Sequence, residues 1–140
     1  MPIIEIDVPE SPGAAPTEGL EEARVFAALE GEQEGLLLLD AAGLVVGGGL
    51  RTPDGADATE EVAAYLAGVS QEAARAAKLL GLGAWSGLSA EGADGHMHLC
   101  RPHGEALLTL VRDRTVPLGR LAIIAQRAAS AARRWLERQA

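Results

Sequence analysis

Residues 35–49 read GLLLLDAAGLVVGGG, and no other stretch of the chain constrains the fold as tightly. Leu36 to Leu39 form an unbroken apolar run. Successive side chains of a strand point to opposite faces, so four leucines in a row need burial on both sides of a sheet, as when helices cover each face. A half-exposed strand would alternate instead. Asp40 and Gly43 bracket Ala41 and Ala42, with Asp favoured at the first position of a type I turn and Gly where φ must be positive. Leu44, Val45 and Val46 then return antiparallel, so the pattern predicts a hairpin at the centre of a fully covered sheet. Gly47 to Ala58 reads as a Gly/Pro/Asp loop. Its GGG start lacks the spacing and the Lys-Ser/Thr ending of a phosphate loop.

At 140 residues and 14.5 kDa the chain is long enough for one domain with a core that needs no covalent staple. The single Cys100 cannot form an internal disulfide, which fits a reducing cytoplasm. The start MPIIEIDVPESPG has no basic leader region, and nowhere do about 18 apolar residues run together, so a soluble, unexported, cytoplasmic protein without membrane insertion is expected. A net charge of -8 and a pI near 4.8 argue against nucleic acid as a partner, because that binding rests on Lys and Arg neutralising phosphates. The charge is unevenly placed: residues 1–100 carry 4 basic and 17 acidic side chains, residues 101–140 carry 8 basic and 3 acidic.

Residues 1–16 hold four of the seven prolines and read as a flexible tail, leaving 17–140 as the domain. Within the tail Ile4, Ile6 and Val8 alternate with charge, a pattern that can add a short edge strand between Pro2 and Pro9. Thr17 to Gln33 has a capping Thr, acids in its first turn and Leu20, Val25, Phe26 and Leu29 as apolar members, which predicts a first helix. A second helix is expected over Ala58 to Leu80, with Asp57 and Glu60 at capping-box spacing. Val62, Leu66, Val69, Ala73, Ala76 and Leu80 make one apolar stripe on it, and Ala63, Ala67, Ser70, Ala74 and Ala77 repeat the same steps as a stripe of small residues. The second stripe reads either as close approach to another helix, such as one from a dimer mate, or as Ala filling good helical positions.

Three more strands follow, over Leu82 to Glu91, Gly95 to Arg101 and Glu105 to Arg112, separated by turns at Gly92-Ala93-Asp94 and Pro102-His103-Gly104. Gly83 and Gly87 interrupt the first of them around Trp85, as at a bulge or a close backbone approach. The nearly continuous apolar run from Ala106 to Val111 should be central. Pro117 opens a last helix whose buried stripe is Leu118, Leu121, Ala125, Ala128, Ala132 and Trp135.

Few residues carry a chemical signature. His96, His98 and Cys100 share one face of a strand, with His103 in the following turn, and are ligand types for zinc. Against a metal, His103 lies off the strand and no carboxylate stands as a supporting partner. Ser86 and Ser89 have no elbow motif or assembled base, and Cys100 in a strand interior reads as a small buried thiol, so no catalytic residue is assigned. Arg120, Arg127, Arg134 and Arg138 form one basic edge of the last helix, opposite its apolar stripe, either solvated or docked on an acidic surface.

The hairpin LLLLDAAGLVV, the helix exit AARAAKLLGLG and the segment LLTLVRDRTVPLGRLAIIAQRAASAA, in this order and spacing, resemble the roadblock family, and within it the MglB-like bacterial gliding proteins. The resemblance covers about residues 18–138. It implies an α+β fold in the order α-β-β-α-β-β-β-α, with a five-stranded antiparallel sheet, two helices on one face and one on the other. It implies a homodimer paired through the third strand and second helix, here Ala84, Trp85, Ser86, Gly87 and Leu88 together with the small-residue stripe Ala63, Ala67, Ser70, Ala74 and Ala77. It further implies no metal or other cofactor and a non-catalytic regulator or scaffold of a small Ras-like GTPase, able to stimulate hydrolysis by ordering the GTPase's own residues. Glu61, Tyr65, Gln71, Glu72 and Arg75, outward on the second helix, are then expected to face that partner. A structural assembly module that binds independently of nucleotide is the alternative, and a small-molecule sensor using a pocket beside Trp85 and the histidine strand is a third.

Overall fold

The computed structural model describes residues 23–29 and 35–139. The expected tail, residues 1–16, and the outer parts of the first expected helix lie outside the described residues. Residues 23–29 are helical (α1). After α1 come β1 (Leu36–Leu39), β2 (Val45–Gly49), α2 (Thr59–Leu79), β3 (Gly87–Glu91), β4 (Gly95–Cys100), β5 (Leu107–Asp113) and α3 (Leu118–Gln139). All strand pairs are antiparallel, and the sheet order is β2-β1-β5-β4-β3.

The leucine run sits where its composition requires. β1 lies between β2 and β5, with Leu36 opposite Leu110 and Leu38 opposite Leu108. Leu36 and Leu38 join the core formed with Val25, Ala28 and Leu29 of α1 and with Leu121, Ala125, Ala128, Ala131, Ala132 and Trp135 of α3. Leu37 and Leu39 enter the opposite core, with Ala63 and Leu66 of α2 and with Leu99 and Leu107. The sheet is therefore covered by α1 and α3 on one face and by α2 on the other, as expected. Leu118, expected in the buried stripe of α3, is only half-buried, and Ala131 takes a buried place that the stripe did not include.

The turn chemistry is as the sequence predicts. Asp40 Oδ1 accepts hydrogen bonds from the backbone N–H of Ala42 and of Leu44, both at 2.9 Å. The Gly43 N–H donates to the Asp40 carbonyl at 3.0 Å, and Gly43 has φ 85°. The loop expected from Gly47 onward begins later than its composition suggests: Gly47 to Gly49 belong to β2, paired with Leu38, Leu37 and Leu36. Close approach explains the glycines. A Cβ on Gly47 would lie 2.9 Å from the Leu29 carbonyl oxygen of α1, and one on Gly48, where φ is 85°, would lie 2.1 Å from the Leu36 oxygen. The run lets α1 and β1 press against an edge strand at backbone distance.

Two further boundaries move. The residue before α2 is Ala58, which makes no side-chain cap. Asp57 instead accepts from the Thr59 N–H at 2.9 Å, and the Thr59 hydroxyl accepts from the Leu50 N–H at 3.0 Å, tying the helix start to the end of β2 rather than closing a capping box. β3 begins five residues later than expected because Gly81 (φ 69°) and Gly83 (φ 80°) hold the chain in the left-handed region, which an extended strand cannot contain.

Candidate functional site

α2 has two apolar stripes, and the sheet takes neither whole. The face in contact with the sheet lies between them: Leu66 from the larger-residue stripe and Ala63 from the small-residue one enter the core, and Ala77 of the small-residue stripe is buried too. Ala67, Ser70 and Ala73 are half-buried, and Ala74 is exposed. Ala63 and Ala77, expected at a dimer seam, are buried in the single chain. Small side chains there let α2 lie close on its own sheet.

The consequence is an apolar surplus on the other side of the helix. Tyr65 is 66% exposed, Val69 46% and Leu80 71%. These positions fall on one line along the helix together with exposed Ala76. Leu79 and Leu82, 88% and 70% exposed, extend the patch past the helix end. That end is fixed by backbone hydrogen bonds from Gly81 N–H to the Lys78 carbonyl (3.2 Å) and from Leu82 N–H to the Ala77 carbonyl (2.9 Å), a Schellman closure with Gly81 left-handed. The leucines are held outward on a defined turn. Beyond them β3 pairs only with β4, so its other edge is open, and Ser89 to Glu91 are exposed. Exposed apolar side chains on a helix and an unpaired strand edge are each features that interaction sites use.

Trp85 is not a free seam residue. Its ring packs against the α2-side core, its Nε1–H donates to the Ser70 carbonyl at 3.3 Å, and the Arg101 guanidinium lies 4.5 Å from the ring centroid. It fastens the loop before β3 to α2. Of its expected companions Ala84, Ser86 and Gly87 are exposed and Leu88 is half-buried in the same core. The positions expected to face a partner, Glu61, Tyr65, Gln71, Glu72 and Arg75, are all exposed, with Glu72 and Arg75 ion-paired to each other.

The match to a family model decides what this arrangement belongs to: the model described as Roadblock/LC7 domain covers residues 21–112. The chain belongs to the Roadblock/LC7 family. Solved roadblock structures agree with the fold. An MglB with tetrameric arrangement is 24% identical at a TM-score of 0.63, with 87% of this chain and 90% of that chain covered. The gliding protein MglB from Thermus thermophilus is 25% identical at a TM-score of 0.62, with the same coverage of 87% and 90%. Myxococcus xanthus MglB is 16% identical at a TM-score of 0.67, covering 95% of this chain and 97% of that one. No curated protein is significantly similar to the chain. Roadblock/LC7 proteins are in general non-catalytic regulatory domains.

His96 and Cys100 are buried on the α1/α3 side of the sheet, and the His98 Nδ1 and Ser89 hydroxyl share a cross-strand hydrogen bond at 2.5 Å. Burial lowers the His98 pKa and pushes the Cys100 thiol up to about 11. The Cys100 Sγ–H points at the Ala125 carbonyl, 3.9 Å away, as a core thiol. Among the described residues no group of three or more His, Cys, Asp or Glu is arranged to hold a metal ion, and no helix is long and apolar enough to cross a membrane. A polar cleft lies at the tip of the β1–β2 hairpin, where Asp40, Gly43, Ser70, Gln71 and Glu105 meet; neither Trp85 nor a histidine lines it.

Proposed function

We propose that this chain is a non-catalytic homodimeric regulator or scaffold of a small Ras-like GTPase, with residues 17–140 as its domain and 1–16 as a tail. The observation that carries the reading is the exposed line Tyr65, Val69, Ala76 and Leu80 on α2, with Leu79 and Leu82 exposed at its end and one edge of β3 open. A second copy related by a two-fold axis covers a self-complementary patch of this kind, pairing β3 with β3 and α2 beside α2. The polar side of the two α2 helices, with Glu61, Gln71, Glu72 and Arg75, then forms one surface across the dimer, on which a GTPase's switch regions can sit. The family's solved MglB members support the regulator assignment, because MglB-like proteins regulate small GTPases. Stimulated hydrolysis needs no residue of this chain at the phosphate, since the GTPase can supply the transition-state contacts once its switches are ordered.

The test is to mix the full chain with each small Ras-like GTPase encoded nearby, loaded with GTP or GDP. A complex with the GTP form and faster hydrolysis are expected, both weakened by substitution at Tyr65 or Glu72. Absence of binding to any of them counts against the reading. Equal binding to both nucleotide states would favour a structural assembly module, for which the exposed basic side chains Arg120 and Arg127 on α3 are the specific support.

A further inference from the structure

The cleft at the tip of the β1–β2 hairpin plays no part in the proposed seam. It lies along the flank of α2 turned away from Tyr65, Val69 and Leu80, bordered there by Ala67, Ser70 and Gln71. Its volume is about 170 Å³, similar to cavities that hold a benzene-sized group. Leu39 and Leu107, both buried, give it an apolar base. Asp40 and Glu105 supply two carboxylates, Ser70 a hydroxyl and Gln71 an amide, and no Lys, Arg or His lines it. Among the described residues neither carboxylate is ion-paired.

The two carboxylates reach the cleft from separate turns, each closed by its own hydrogen bonds. Asp40 Oδ1 is occupied by the N–H groups of Ala42 and Leu44, which leaves Oδ2 to accept. The same turn approaches the helix so nearly that a Cβ on Gly43 would lie 3.3 Å from the Ala67 Cβ. Glu105 follows left-handed Gly104 in the turn between β4 and β5, which the Ala106 N–H closes onto the His103 carbonyl at 3.1 Å. On the helix side Trp85 takes the Ser70 carbonyl, so the wall of the cleft is fixed as well.

Acceptors of negative charge over an apolar base select a cation carried on an aliphatic stem: the methylenes lie on the leucines and the N–H groups reach the carboxylates. We propose that the cleft receives an arginine or lysine side chain presented by the protein that docks on α2. Gln71 lines the cleft and is also exposed on the polar side of α2, so a partner seated there brings its own side chains within reach. The identity of the presenter rests on the regulator reading, whereas the chemistry of the cleft does not.

Titration of the isotope-labelled full chain with N-acetyl-arginine methylamide tests that chemistry. Saturable amide shifts confined to residues 39–43, 67–71 and 105–107 are expected, with a dissociation constant on the order of a millimolar for a ligand of this size. The citrulline analogue, similar in shape without the charge, should bind about fivefold more weakly or worse. Asp40→Asn keeps the Oδ1 acceptor of the turn and removes the charge, and Glu105→Gln lies at an exposed position. Each should weaken the arginine probe about threefold and the pair about tenfold. Absence of saturable shifts overturns the proposal, as do equal binding of the citrulline analogue, shifts that spread equally to Asp54 and Asp94 outside the cleft, or an unchanged constant in Glu105→Gln. Tighter binding of putrescine than of the arginine probe would assign the cleft to a free diamine and overturn it too. With a GTPase that binds the wild-type chain, the double variant should weaken the complex about tenfold, and an unchanged affinity removes the partner's side chain from the cleft. If no GTPase binds the wild-type chain, the regulator reading fails by itself, and the probe titration still decides the cleft.

Discussion

Truncating Leu80 to Ala separates the two sides of α2 as dimer seams. Leu80 is 71% exposed in the single chain. Fully burying a leucine is worth about 1.5–3 kcal/mol, so covering what remains exposed contributes about 1–2 kcal/mol per copy. A two-fold seam contains the residue twice, giving about 2–4 kcal/mol for Leu80→Ala. At about 1.4 kcal/mol per tenfold, the dissociation constant should rise roughly 30- to 700-fold. Sedimentation equilibrium across a concentration series measures it directly. Because Leu80 touches little of its own chain, the melting temperature measured below both dissociation constants should not move. A dissociation constant within about threefold of wild type refutes the assignment of this side, on the same scale. If the small-residue side formed the seam, Ala74→Glu at an exposed position would dissociate the dimer while Leu80→Ala would not. A wild-type chain that stays monomeric at tens of micromolar removes the dimer altogether.

Four other outcomes can be checked on the isolated chain. Gly48→Ala should cost more than about 2 kcal/mol in a denaturant titration, the left-handed φ alone accounting for about 1–2, whereas Gly68→Ala, in mid-helix with open space around it, should stabilise by about 0.5–1 kcal/mol; equal effects would show that the β2 glycines are not there for close approach. Thr109 is fully buried with its hydroxyl unpartnered, so Thr109→Val should stabilise by about 1 kcal/mol, and a lower denaturation midpoint would contradict that. Burial sets the His98 pKa below 6.5 in the folded chain, so the unfolded chain binds more protons as pH falls from 6.5 through the folded value, and stability drops across that window and is flat above it. His98→Gln should remove that part of the slope between about pH 7.5 and 5.5, and an unchanged slope would deny His98 the role. With its thiol pKa at about 11 and its side chain buried, Cys100 should react with an aromatic disulfide reagent at neutral pH only when the chain unfolds; rapid native-state labelling would show that the α3 side of the sheet opens.

The elements legible from sequence are those whose burial demand has one solution. Four consecutive leucines followed at once by a turn fit a strand covered on both sides, and β1 occupies that place between β2 and β5. Asp40 and Gly43 specify a turn through local hydrogen bonds, which need nothing from the rest of the chain. The glycines of β2 were opaque for the opposite reason. GGG has the composition of a loop, and its meaning as a strand lies in Leu29 and Leu36, whose backbones press against it from another helix and another strand. The position of Trp85 was equally hidden, because Gly83 reads as a strand interruption until its left-handed φ shows that the strand has not yet begun.

α2 shows why the interaction surface was the least legible part. Its two stripes have the same periodicity, and periodicity reports how many faces are apolar but not which one meets the sheet. The choice is made by the space above β1, β4 and β5, where Leu37, Leu39, Leu99 and Leu107 already fill the core and leave room for Ala63. Large residues on the sheet require small ones on the helix that crosses them closely, since total core volume is fixed by packing. The helix therefore turns Ala63 and Ala77 inward beside Leu66 and leaves Val69 and Leu80 outside. Exposure of these side chains costs free energy in an isolated chain, and a second copy is the simplest partner that offsets it, because the copy carries the same unfilled patch. In the proposed dimer the signal for a seam on α2 is its excess of apolar positions over what one sheet face can bury, and the buried Ala63 and Ala77 set which way that excess points.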